Sequence, residues 1–71
     1  MRCYFHLVSS HHTLIDREGV EVSDLDGARE AAREVVAEMV EGGADLQGWR
    51  LEAVDASGAV LFTIRLDAPL R

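Results

Sequence analysis

His6, His11 and His12 lie close together near the start of the chain, with Asp16 a few residues on. A hairpin that folded the three together would make them a metal site through neutral imidazoles, with Asp16 as a further donor. Their spacing matches no standard metal motif, and a histidine on a strand or in a polar loop is more often solvated or locally hydrogen-bonded. Cys3 with His6 suggests a second chemistry, a thiol activated by an imidazole. Three residues apart on a strand, however, they point to opposite faces. Cys3 falls on the apolar side, where a small buried hydrophobe is its ordinary role. The sequence shows no glycine-rich phosphate loop, no nucleophile elbow and no paired carboxylates in a plausible cleft. These patterns point away from an enzyme and imply no cofactor.

The element that must position everything else is the stretch from Asp24 to Glu41. Leu25, Ala28, Ala32, Val35, Val36, Met39 and Val40 recur at three- and four-residue steps, the mark of one apolar helix face. Ser23 or Asp24 can cap its start, and Ser23 with Asp26 has capping-box spacing. Gly42-Gly43 ends it. Asp26, Glu30, Glu34 and Glu38 form an acidic column on the helix. It reads either as a docking strip for a basic partner or as a solvated face partly relieved by Arg29 and Arg33.

The helix stripe needs a sheet to cover it. Arg2–Val8 alternates as a strand, with Cys3, Phe5 and Leu7 on one side and Tyr4, His6 and Val8 on the other. Ser9 to His12 is a polar turn, and Thr13 to Asp16 a short second strand. Gly19 closes a turn, and Val20 and Val22 lead into the helix in an extended form. Trp49–Asp55 and Val60–Leu66 form a closing hairpin around Ala56-Ser57-Gly58. The predicted fold is α+β in the order β-β-α-β-β. It is an antiparallel four-stranded sheet, 2-1-3-4, with one helix packed on one face. The expected core joins the helix stripe to Cys3, Phe5, Leu7, Trp49, Leu51, Val60, Phe62, Ile64 and Leu66. The other sheet face would carry Tyr4, His6, Val8, Arg50, Glu52, Val54, Leu61, Thr63 and Arg65. A contiguous apolar patch there would mark an interface. Its candidate contacts are Tyr4, His6, Val8, Arg50, Val54, Leu61 and Arg65. The tail after Leu66, which holds Pro69, is expected to fray.

Seventy-one residues make one domain, 1–71, with a small core. Chains this short gain stability from disulfides, metals or oligomerisation. With Cys3 the single cysteine and no thiolate-rich zinc spacing, a homodimer is the expected solution. The net charge is -6, with 13 acidic residues against 7 basic ones, all of them arginine. Such a chain repels phosphate backbones, so no nucleic acid is expected as a partner. No stretch approaches the roughly 18 apolar residues of a membrane span, and no apolar signal region opens the sequence. The expected compartment is the cytoplasm.

Four sequence features, taken in order, resemble a known group. They are Arg2, Tyr4, Phe5, His6 and Leu7; Asp16, Glu18 and Gly19; Asp24, Leu25 and Ala28; and Trp49, Arg50, Leu51, Glu52, Asp55 and Gly58. Together they resemble a family of short bacterial proteins classed as a domain of unknown function, common in rhizobia and related high-GC bacteria. Ser23 stands where that family often has proline, and Ser9-Ser10-His11-His12 where a Gly/Asp-rich turn is usual. The resemblance supports the fold and carries no activity. The resulting expectation is a non-enzymatic cytoplasmic interaction module, homodimeric through the sheet face or an edge strand. The alternative is a regulatory protein resembling HicB-type antitoxins, in which an acidic domain covers a basic partner.

Overall fold

Alternating apolar and polar residues make Arg2–Val8 the first strand, β1, with Cys3 and Phe5 buried and their neighbours partly exposed. The chain is described over residues 1–66 by a computed structural model. The tail with Pro69 lies outside the described residues. β1 pairs antiparallel with β4, Arg50–Asp55, in a register that sets Phe5 opposite Ala53 and Leu7 opposite Leu51. β4 pairs in turn with β5, Val60–Arg65, which forms one edge of the sheet. On the other side, β1 meets two short pieces: β2, Thr13–Leu14, beside Leu7 and Val8, and β3, Val20–Glu21, beside Arg2 and Cys3.

The domain is therefore α+β, an antiparallel sheet with one helix, as expected. The expected count of four strands is corrected to five. The order is β2-β1-β4-β5, with β3 also pairing β1. The extended lead-in to the helix becomes β3 because the Val22 N–H donates to the Met1 carbonyl at 2.8 Å and ties this segment to β1. The short second strand ends at Leu14 rather than Asp16, because Asp16 turns its side chain to a different task.

The helix α1, Leu25–Glu41, starts at Asp24, whose Oδ1 accepts the Gly27 N–H at 2.8 Å. Ser23 does not serve as the cap. Replacing Asp24 with alanine is expected to cost about 1 kcal/mol, read as a lower denaturant midpoint with an unchanged slope. At the far end Gly43 adopts φ +78°, and the Ala44 N–H reaches back to the Met39 carbonyl, a Schellman closure.

Ala28 and Ala32 have no exposed surface and meet Cys3, Phe5, Leu51 and Ala53. Small residues on both sides let helix and sheet approach closely, which suits a core of few large side chains. Leu25 and Val40, expected in the stripe, sit at its margins and are exposed. The register of β4 with β5 slips by one residue between Ala53 and Val54. Val60 is consequently 57% exposed instead of buried, whereas Leu61 packs against the core.

Candidate interaction surface

The first strand and the turn before β3 are joined by one carboxylate. Asp16 Oδ2 accepts the Phe5 N–H at 3.1 Å, and its Oδ1 accepts the N–H groups of Glu18 and Gly19, each at 3.1 Å. The Asp16 N–H itself donates to His6 Nδ1 at 3.1 Å. Between β2 and β3, where no strand continues along β1, this side chain thus supplies the missing acceptor. Gly19, at φ +70°, lies so close that a Cβ there would stand 2.9 Å from the Cys3 carbonyl oxygen and from the Tyr4 ring. Arg2 closes the arrangement by donating to the Glu18 carbonyl at 3.0 Å. Burial alone would raise the Asp16 pKa, but the N–H groups of Gly19, Phe5 and Glu18, with His6 nearby, outweigh it. They hold the carboxyl below its usual range.

This arrangement decides what the histidines do. His6 Nδ1 is an acceptor, so in the neutral ring Nε2 carries the proton. Offering either nitrogen to a metal would disturb the bond to Asp16 or the tautomer it fixes. His11 and His12 lie in the exposed β1–β2 turn, where Ser9 Oγ accepts both of their N–H groups. The structure does not bring His6, His11 and His12 together, and among the described residues no group of histidines, cysteines and carboxylates is placed to hold a metal ion. Cys3 is fully buried, and desolvation, with smaller contributions from Asp16 and Asp55, pushes its thiol pKa up. A sealed thiol held protonated is a poor nucleophile.

The sheet face away from the helix is less open than its alternation suggests. Val54 is only 6% exposed and Leu61 packs against the core, so both are corrected as exposed contacts. Tyr4 and His6 are half-buried under the Asp16–Gly19 turn. Arg50 spends its Nε on Glu52 at 3.1 Å. Val8, Arg50 and Arg65 remain accessible but form no continuous apolar patch. In the acidic column all four side chains are exposed, and Glu30 contacts Arg33 at 3.4 Å.

Two concavities flank the helix. One, of about 190 Å³, lies between Leu7, Leu14, Met39, Leu46 and Trp49, so Trp49 walls an open hollow instead of filling the core. The other, of about 280 Å³, runs between α1 and β5 and is lined by Arg29, Arg33, Phe62, Thr63 and Ile64. Sequence reasoning missed this groove, although Arg29 and Arg33 at a four-residue step, on one flank of the stripe, carried its signal.

At the β4–β5 turn, Asp55 Oδ1 accepts the Ser57 hydroxyl at 2.6 Å and the N–H groups of Ser57 and Ala59. The Ser57 hydroxyl first, then the Ala59 N–H, hold its carboxyl below the usual range. Asp16, Asp24 and Asp55 are therefore all engaged in binding backbone N–H groups, and Gly19 and Gly58 supply positive φ. A profile described as Domain of unknown function (DUF6894) matches residues 2–67. The chain belongs to this family. No curated protein and no solved structure matches it. Among the described residues of this DUF6894 domain, no helix is long and apolar enough to cross a membrane.

Proposed function

We propose that this DUF6894 domain is a non-enzymatic, cytoplasmic protein-interaction module that accepts an extended strand along the edge of β5. What supports the reading is the contrast between its two sheet edges. Along β1 the edge is broken into β2 and β3, and the gap is closed by the Asp16 carboxylate, a device that blunts an edge against pairing. Along β5 the edge runs for six residues, VLFTIR, with the register slip at its Val60 end and Arg65 at the other, and its central stretch, residues 62–64, carries no proline and no charge to protect it. Such an edge is a template for strand addition, in which main-chain hydrogen bonds give affinity and alternate side chains give specificity. A second copy supplying its own β5 is the homodimeric form of this reading. Tyr4, His6, Val8, Arg50 and Arg65 on the sheet face have weaker support, because Val54 and Leu61 no longer join them into a patch.

Proline at position 63 is the test. The Leu66 N–H donates inward, to the Trp49 carbonyl at 3.0 Å. Antiparallel alternation then points the Thr63 N–H away from β4. Thr63→Pro removes an outward donor while sparing the inner ladder. The expected result is a folded domain, by circular dichroism and thermal melting, that has lost association measured by light scattering or by peptide titration. A folded Thr63→Pro protein that associates like the parent would rule the edge out.

A further inference from the structure

The groove beside β5 restricts which strand would fit there. Its floor is apolar, from Phe62 and Ile64, and its helix wall is cationic, from Arg29 and Arg33. The Arg29 guanidinium lies 5.8 Å from the centroid of the Phe62 ring, a cation–π contact that holds it over the groove. Arg33 meets Glu30 at 3.4 Å, but the two side chains are 69% and 72% exposed. Pairs this open are weak and readily exchanged for a better partner. In a chain of net charge -6, the wall next to the open edge is thus lined by positive charge.

We infer that the occupant is an extended segment of another protein carrying a carboxylate side chain beside an apolar one. The inference rests on the strand-accepting reading of β5 and names the chemistry of the strand. Side chains of an added strand alternate, so every second one enters the groove. An apolar residue covers Phe62 and Ile64, and an acidic neighbour on the same face reaches the guanidinium groups, whose planar forks match carboxylates. A second copy of this chain fits less well. Its β5 has no acidic residue, and two-fold pairing of β5 with itself would bring Arg29 and Arg33 of both copies to one seam.

Fluorescence anisotropy with two short synthetic strand-forming peptides tests this. The peptides are identical, except that the polar groove-facing positions are glutamate in one and lysine in the other. The glutamate peptide is expected to bind about tenfold more tightly, the difference carried by two partly exposed ion pairs. Arg29→Gln with Arg33→Gln should erase that difference without unfolding the helix, and Thr63→Pro should abolish binding of both peptides. Equal binding of both peptides, unchanged in the arginine variant, overturns the acidic-strand inference while leaving strand addition standing. Failure of both peptides, with a dimer mass that Thr63→Pro halves, overturns it in favour of a second copy. Failure of both peptides on a strict monomer overturns the inference and the strand-accepting reading together.

Discussion

Asp16→Ala is expected to lower the stability of the domain by about 3 kcal/mol, because three backbone N–H groups lose a charged acceptor at once. Two of them, from Phe5 and Gly19, make partly buried hydrogen bonds, so water replaces the carboxylate poorly. A domain of this length holds roughly 4–10 kcal/mol in total. The melting temperature should therefore fall by about 15 °C, which thermal unfolding by circular dichroism measures directly. Asp16→Asn separates geometry from charge. It keeps one acceptor oxygen but places an NH₂ group where the other oxygen stood, so it should fall between the parent and the alanine variant. The same site gives the domain an acid limit. The folded-state pKa of Asp16 lies below its unfolded value of about 3.9. Its contribution is thus fully present above that value and is lost as the pH falls through the folded pKa, where the native carboxylate must take up a proton. Asp55 acts in the same direction. Stability should decline from about pH 4 downward, less steeply in Asp16→Asn, and a variant with the parent's acid profile would show that the carboxylate is not its source.

How much of this was readable from the sequence depends on the range of the interaction. The helix was legible because its signal is periodic and local: Ala28, Ala32, Val35 and Met39 recur at helical steps, and Asp24 and Gly43 mark its ends within a few residues. The two hairpins were legible for the same reason. The end of the second strand and the pairing of β3 were misjudged because each element makes only two pairs with β1, too few to leave a pattern. The slip at Ala53/Val54 was hidden because alternation in the sequence continues smoothly through it. One unpaired residue was enough to move Leu61 toward the core, to expose Val60, and to dissolve the apolar face expected on the open side of the sheet. The link from Asp16 to Phe5 and His6 was unreadable for a third reason. It spans 10 and 11 residues and joins a turn to a strand through a side chain, which no periodicity reports. The histidines were therefore weighed as ligands when one of them is a hydrogen-bond acceptor for the turn that seals the edge. The candidate site followed the same rule, since the α1–β5 groove exists only after two distant elements have packed.

Gly19→Ala is the second large effect, and it reaches the same edge by a different route. At φ +70° an L-residue suffers a clash of its own Cβ worth about 1–2 kcal/mol. Here the new methyl group also meets the Cys3 carbonyl oxygen and the Tyr4 ring at 2.9 Å. The ring has some freedom to turn aside. The carbonyl belongs to β1, which is held by β4 along its length, and it cannot move without disturbing the ladder. The combined cost should be about 3 kcal/mol, again some 15 °C in melting temperature by the usual scaling. Because Gly19 donates to Asp16 Oδ1, the two substitutions act on one unit and should not add. Once Asp16→Ala has released the turn, Gly19→Ala has less native geometry left to violate. The double variant is therefore expected to fall well short of the sum of the single losses, by about 1–2 kcal/mol in a double-mutant cycle. Strict additivity would mean that the turn is held onto Tyr4 independently of the Asp16 carboxylate. In that case the blunted edge, and with it the contrast that directs a partner to β5, would depend on packing against the ring more than on the hydrogen bonds.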